Sequence, residues 1–281
     1  MDRLNRRILQ VRKNIAMNIP QARVNLDSSV GHRYFDCDTG ETYSSVTTKL
    51  GILSNPIFSD RKMNRGMEYL VDNFDRLAEN NMLSQNNLSQ LIEEAKEYPN
   101  KLFKEAGARG TLAHKYVEKY IDYWIEIGIR PTLEKILGDE PNYKIWSALR
   151  SFIKWSKEVD FYPIASELMV WSNHHKIAGT LDCIGMVNGE LTVLDWKTSA
   201  VIVKSYYLQA AAYTGMFKEL TRLVVKRTLI VKLDLKQGQS YQEEVFDQPT
   251  HYASFILCSK LHDAMIQLST SINQRKSKVS I

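Results

Sequence analysis

Cysteine is scarce in this chain: Cys37, Cys183 and Cys258 are the only three among 281 residues. They are far apart, odd in number and form no CxxC pair. That excludes a disulfide framework or a four-cysteine cluster within the chain and fits a reducing compartment. Glycine and proline are sparse too, at 13 and 7, which excludes a collagen-like or low-complexity chain. With 44% hydrophobic and 25% charged residues the composition is not that of a disordered segment. No apolar run approaches the roughly 18 residues a membrane span needs. What remains is a chain long enough to bury a sizeable core, as one large domain or two modest ones.

Strong charge is also missing from the body of the chain. The net charge is +5, but Arg3, Arg6, Arg7, Arg12, Lys13 and Arg23 stand near the N-terminus against Asp2 alone, and Arg275, Lys276 and Lys278 lie near the C-terminus. The residues between these ends carry a small negative balance, so a nucleic-acid groove there requires local clustering of basic groups. Leu4, Ile8, Val11 and Ile15 recur at near-helical spacing through the arginine-rich stretch. It reads as a plain helix or arm, with a mitochondrial transit peptide as the alternative.

Residues 33–43, RYFDCDTGETY, predict a short hairpin turning at Asp38-Thr39-Gly40. Ser44-Ser45-Val46-Thr47-Thr48 offers helix caps before Leu50. Residues 61–98 are polar and helical in pattern, interrupted around Asn80-Asn81 and stopped at Pro99. Residues 110–127 predict a helix with Ala113, Val117, Tyr120, Ile121 and Trp124 on one face. A helix is expected over 142–157, strands over 164–197, a helix over 203–220, a strand over 227–235 and a last helix over 250–273. No Pro/Gly/Ser linker divides the chain. It reads as one α/β domain over 1–281, with a mostly helical N-terminal part to residue 100, a core over 101–235, and a C-terminal helix and basic tail over 236–281.

The most informative stretch runs from Gly179 to Ser199, GTLDCIGMVNGELTVLDWKTS. Asn188-Gly189 is the strongest short hairpin signal, since both central positions of a type I′ turn need φ > 0. A two-residue loop sets Val187 against Glu190 and, counting back, Asp182 against Asp195. Side chains alternate, so Ile184, Met186, Leu191 and Val193 share the face of the two acids. Directly opposed Cβ atoms lie about 4.5–5.5 Å apart, where two carboxylates repel. The arrangement makes physical sense with a divalent cation between them, and Mg²⁺ or Mn²⁺ takes such oxygen ligands. Removing one acid, as in Asp182→Asn, is then expected to raise the melting temperature of the metal-free protein. Lys197 points from the same face, about 6.6 Å along the strand. It is placed to hold a water beside the metal and to balance charge in a transition state. The competing reading is a solvent-exposed polar face with incidental charges.

Glu167, in the strand candidate SELMVW, supplies a third carboxylate or is an edge-strand surface residue. His114 lies on the 110–127 helix, and an imidazole suits Mn²⁺ better than Mg²⁺. Periodicity alone does not separate a ligand from a structural histidine. Glu118 follows one turn later and reads as a surface partner of Lys115 or Lys119. Gln209 and Tyr213 are i, i+4 in SYYLQAAAYTGMF, where the three alanines allow close packing on a sheet. Gln209 suits a hydrogen bond to the lysine or a phosphate, and Tyr213 supports it or packs in the core. Tyr116, Tyr120, Trp124, Trp171 and Trp196 offer faces for stacking bases, though most fall on apolar faces that suit a core.

Gly110-Thr111…His114, Glu167, Gly179…Asp182, Asp195-Trp196-Lys197 and Gln209…Tyr213 stand in an order and spacing that resemble the PD-(D/E)XK nuclease superfamily, in its RecB-like branch. The likeness is specific over residues 107–215. Within the branch, LDC…LDWKTS with SSVTTKL upstream looks most like the exonucleases of mitochondrial genome maintenance and their phage relatives. The resemblance implies a restriction-endonuclease-like α/β core, a mixed central β-sheet flanked by helices. It implies Asp182, Asp195 and His114 as ligands of Mg²⁺ or Mn²⁺, Lys197 as the catalytic lysine, Glu167 and Gln209 as assisting groups, and Thr198 or Ser199 at a phosphate. Iron–sulfur members of the branch use four cysteines, which this chain lacks. Leu181, not proline, precedes Asp182.

The expected function is a metal-dependent exonuclease that hydrolyses phosphodiester bonds at DNA ends, single-stranded by resemblance, in replication, recombination or repair. Replication or recombination proteins are the expected partners beside DNA, and no membrane. The expected location is the cytoplasm of a bacterium or phage-infected cell, or a mitochondrion. The rivals are a DNA-binding or scaffold subunit with a silent nuclease fold and a structure-specific endonuclease.

Overall fold

In a computed structural model, which describes residues 3–21, 23–27, 33–53, 56–77, 85–236 and 239–279, the arginine-rich N-terminal stretch is helix α1, Arg3–Asn18. Its apolar stripe is the expected one: Ile8, Val11 and Ile15 are buried, and Leu4 packs on the same core. The chain divides into two compact units, Met1–Leu53 with Ala113–Ile281, and Ser54–Leu112.

The N-terminal part is helical, as expected, and in the larger unit it also carries three short strands. Strands β1 (Val24–Asp27), β2 (Arg33–Asp36) and β3 (Thr42–Ser45) form an antiparallel ribbon. The β2–β3 turn falls where the sequence places it. The Asp36 carboxylate accepts the N–H groups of Asp38 (2.9 Å) and Thr39 (3.1 Å). Helix α2 (Val46–Leu50) follows, capped by the Ser45 hydroxyl, which accepts the Thr48 N–H at 3.0 Å.

The remaining elements of this unit include the end of α4 (Gln85–Ile127), α5 (Leu133–Leu137) and α6 (Tyr143–Glu158). Then come β4 (Phe161–Ser172), β5 (Ile177–Val187), β6 (Glu190–Lys197) and α7 (Lys204–Thr221). Strands β7 (Arg227–Leu233) and β8 (Ser240–Glu244) and the long helix α8 (Gln248–Val279) complete it. No helix among the described residues is long and apolar enough to cross a membrane.

The eight strands among the described residues join one mixed sheet. Strand β4 lies antiparallel along β5, pairing from Phe161↔Val187 to Ser172↔Ile177. The other edge of β5 is shared. Parallel β3 pairs with Ile177 and Ala178, and antiparallel β6 pairs from Cys183 to Val187. Between them, at 179–182, β5 has no ladder partner on that edge. Strand β6 leaves β5 there and continues parallel to β7 from Thr192↔Arg227 to Lys197↔Lys232. The sheet therefore forks at Gly179–Asp182.

Strand alternation sends the hairpin's side chains to two different cores. Ile184, Met186, Leu191 and Val193 pack with Tyr213, Met216 and Phe217 of α7, Phe255 of α8 and the stripe of α1. On the other face Trp196 meets Phe152 at 5.3 Å and Trp155 at 5.5 Å between ring centroids, and Phe152 meets Tyr120 of α4 at 5.6 Å. Tyr120, Trp124, Trp171 and Trp196 are buried, so these aromatics are core and not base-stacking surfaces. Tyr116 donates its hydroxyl to Glu140 at 2.9 Å.

The smaller unit is a helical pair, α3 (Pro56–Asp72) and the first part of α4, with a short 3₁₀ turn at Phe74–Leu77. The expected interruption at Asn80-Asn81 lies outside the described residues. Arg76 pairs with Glu94 at 2.7 Å and Tyr69 meets Tyr98 at 4.5 Å. One expectation fails here: Pro99 does not stop a helix, because α4 runs through it. An interior proline costs about 3 kcal/mol by losing a hydrogen bond and crowding the carbonyl four residues back. That carbonyl, Ala95 O, lies against Gly66 of α3, where a Cβ would come within 2.9 Å of it, and Pro99 is buried in the same contact. Burial of the ring between the two helices offsets the loss, a tertiary effect that local pattern does not carry.

Candidate active site

The fork in the sheet is where the chemically informative side chains meet. The β5–β6 register is the one the turn dictates, closing at Val187↔Glu190 and reaching Cys183↔Leu194. The next pair is Asp182 and Asp195. The ladder does not extend to it. Instead the Asp182 Oδ2 accepts the Trp196 N–H at 2.6 Å, so a side-chain carboxylate fills the place of the missing backbone partner. The other oxygen, Oδ1, lies 3.5 Å from His114 Nδ1 on α4.

Asp195 is 1% exposed, and neither of its oxygens has a hydrogen-bond partner among the described residues. The Lys197 ammonium lies 2.6 Å from Oδ2, an ion pair without the alignment of a hydrogen bond. On its other contact the ammonium sits 4.9 Å from the centroid of the Tyr206 ring. The lysine side chain is 13% exposed.

Opposed, unequally buried and unequally partnered, the two acids titrate apart. Burial pushes the Asp195 carboxyl up to about 6 against the pull of Lys197, and the Asp182 charge pushes the same way. Asp182 is only partly buried, its side chain 13% exposed, and His114, Lys197 and the Trp196 N–H outweigh the desolvation it suffers and hold it below the usual carboxylate range. Burial opposes protonation of His114, and Asp182 reverses that, so the imidazole pKa is raised. Burial likewise opposes the charge on Lys197, and Asp195 and Asp182 together raise it.

Glu167 joins this group from β4. Ser166 pairs with Cys183 and Leu168 with Leu181, which sets Glu167 across from Asp182. Asp182 thus stands in the middle of three adjacent strands, with an acid on either side. Glu167 has φ +43°, a left-handed conformation that costs a non-glycine residue about 1–2 kcal/mol. Such strain concentrates at functional sites. Burial, then the charges of Asp182 and Glu118, push its carboxyl up to about 8. It lies on an edge strand, since β4 pairs with β5 alone, but it is half-buried and not fully exposed.

Gln209 donates to the Tyr213 hydroxyl at 3.0 Å, while Lys197 takes Asp195 and Tyr206 as its partners. The Tyr213 ring lies over β5, where a Cβ on Gly179 would come within 2.5 Å of its Cε1. That close approach explains the glycine three residues before Asp182. Gly179→Ala is expected to displace Tyr213 and lower the melting temperature by several degrees, on the scale of about 1–3 kcal/mol for overpacking. Thermal unfolding checks this, and an unchanged midpoint would show that the ring is not fixed there. Ser199 donates to Val201 O at 2.8 Å. Glu118 is half-buried and close enough to Glu167 and Asp122 to act on their charge. Of its two expected surface partners, Lys119 donates to Ile136 O at 2.8 Å, and the Lys115 charge acts on Glu118. Sequence reasoning passed over Tyr206, which shares a helix face with Gln209 three residues on. It also missed Tyr34, whose hydroxyl lies 3.1 Å from Thr180 Oγ1, a non-local contact with no sequence signal.

Among the described residues no three His, Cys, Asp or Glu side chains come together to hold a metal ion. The donors present suit an open site. Two carboxylates, one with both oxygens unsatisfied, match a cation such as Mg²⁺ that keeps several waters and binds substrate oxygens. They do not suit a closed protein cage.

No protein family matches the chain, and no curated protein matches it. Among solved structures, the crystal structure of SSO0001 is similar to it at 14% identity, over 54% of this chain and 71% of that chain, with a TM-score of 0.29. At that score the likeness carries no argument for the site.

Proposed function

We propose that this chain is a Mg²⁺- or Mn²⁺-dependent deoxyribonuclease of the PD-(D/E)XK type, an exonuclease acting on single-stranded DNA ends. The observation that carries the reading is the buried Asp195 carboxylate, without a hydrogen bond, beside Asp182 and Lys197 at the fork of the sheet. A buried acid left so is costly unless something else engages it. When bound, Mg²⁺ or Mn²⁺ supplies Lewis acidity toward a phosphoryl oxygen and a water of lowered pKa.

Asp182 and Asp195 would hold that ion through their oxygens. Lys197 offers its N–H donors to the attacking water and to the charge that develops on the phosphoryl oxygens. His114 orients Asp182 through Nδ1 and opposes its charge. Glu167, its carboxyl pushed up to about 8 in the metal-free protein, stands beside Asp182 as an assisting group. Gln209 and Tyr213 fix the floor under Gly179. Exonuclease action and the single-strand preference rest on the resemblance.

End-labelled single-stranded DNA incubated with the protein is expected to be degraded in Mg²⁺ or Mn²⁺ and left intact in EDTA. Asp195→Ala should abolish degradation. Cutting that persists in EDTA, or in that variant, would remove this mechanism. One observation favours a second reading, a DNA-binding subunit without cleavage: both acids already face a basic group of the chain, Asp182 with His114 and Asp195 with Lys197. Binding without cleavage in Mn²⁺ would establish it.

A further inference from the structure

We propose that Tyr206 is a positioning residue for the proposed hydrolysis, holding the Lys197 ammonium against its ring face so that the lysine's donors stay aimed at the reacting phosphate. This rests on the nuclease reading above and adds to it a residue that the motif resemblance does not include.

Lys197 is the last residue of β6, so the chain beyond it is not held in the ladder. Its side chain is a flexible four-carbon stem ending in a point charge. Asp195 alone gives that charge one anchor, at 2.6 Å from Oδ2. One anchor leaves the ammonium free to swing about the carboxylate. The Tyr206 ring, 4.9 Å from Nζ to the centroid, is a second anchor within the usual cation–π range. Two anchors of different kinds define a position, which one does not.

The ring is itself held. Tyr206 lies in the first turn of α7, its N–H bonded to Val203 O at 2.9 Å, and it packs with Ala210, Ile230 and Val245. Its attraction for a cation comes from the ring face, so the hydroxyl is not required. No proton or bond changes hands at Tyr206. The residue acts only through Lys197.

The test compares Tyr206→Phe, which keeps the face, with Tyr206→Leu, which removes it. In single-strand cleavage with Mg²⁺, Tyr206→Leu is expected to lower kcat about tenfold with KM unchanged, the scale of one lost cation–π contact. Tyr206→Phe should stay near wild type. A second readout does not use activity. After reductive ¹³C-methylation, the Lys197 methyl resonance, assigned by Lys197→Arg, should be shifted upfield by the ring in wild type and in Tyr206→Phe. In Tyr206→Leu it should move to the position of a free lysine. An unshifted wild-type resonance, a Tyr206→Leu protein with full kcat, or a Tyr206→Phe protein as slow as Tyr206→Leu would each overturn the proposal. Should the ring shift behave as expected in a wild-type protein that cuts no DNA, the nuclease reading fails while the contact stands, and the catalytic role of Tyr206 falls with that reading.

Discussion

Lys197→Met is expected to slow hydrolysis of single-stranded DNA by roughly 10²–10³-fold, with DNA binding in EDTA little changed. Methionine keeps the apolar stem out to the ε position, so it fills most of the lysine's place, while the cation–π contact with Tyr206 goes with the ammonium. What is lost is a cation with three N–H donors in a site where water cannot replace it, since the lysine side chain is only 13% exposed. There is a second consequence. Asp195, already pushed up to about 6 by burial, loses its one opposing charge within 3 Å, so its carboxyl rises further. The residual activity of the variant should therefore peak at a higher pH than that of wild type. Single-turnover cleavage of an end-labelled oligonucleotide across pH measures both effects. A variant that keeps wild-type rates would show that Lys197 takes no part.

The pair of acids was legible in the sequence because a turn fixes a register. Asn188 and Gly189 have φ +49° and +76°, as a type I′ loop demands, and the two strands then have no freedom to slip without turning their apolar residues outward. Asp182, Asp195 and Lys197 follow by counting. Helix faces were legible for the same kind of reason: Ala113, Val117, Tyr120, Ile121 and Trp124 are all buried. The rest of the site depends on contacts between residues far apart in the chain. Strand β3 meets β5 across Ser44↔Ile177, and no local pattern announces that pairing or the fork it creates. Glu167 was visible as an acid in a strand, but its left-handed backbone was not, because a glutamate gives no hint of φ > 0. Pro99 shows the opposite error, a strong local signal overruled by burial against a neighbouring helix.

A symmetric expectation also had to give way. Two opposed carboxylates repel equally, so on sequence alone either is the one to remove. In the structure Asp182 holds the Trp196 N–H and faces His114, and neither oxygen of Asp195 has a hydrogen-bond partner among the described residues. Asp182→Asn therefore removes favourable contacts with the repulsion, and the variant that should stabilise the metal-free protein is Asp195→Asn.

In EDTA near neutral pH, Asp195→Asn is expected to raise stability by about 1–2 kcal/mol, a shift of several degrees in Tm. An unfolded aspartate ionises near its ordinary value of 3.8, whereas in the folded protein Asp195 keeps its proton up to about 6. Between those values the folded state binds more protons, so its stability falls as pH rises, and above about 6 the loss is complete and constant. Two units of displacement correspond to about 3 kcal/mol. The figure is reduced because Lys197 loses a partner in the variant. Below the unfolded pKa the two proteins should melt alike apart from the amide's own packing, and the gap should open as pH passes through the window. Added Mg²⁺ should then raise the wild-type midpoint and leave Asp195→Asn nearly unmoved, since ligand binding to the folded state stabilises only a protein that binds it. Wild type and variant melted over a pH series, with and without Mg²⁺, check the prediction. A gap that stays constant with pH would mean that Asp195 ionises normally in the fold, and a variant that gains as much from Mg²⁺ as wild type would mean that the ion does not use this carboxylate.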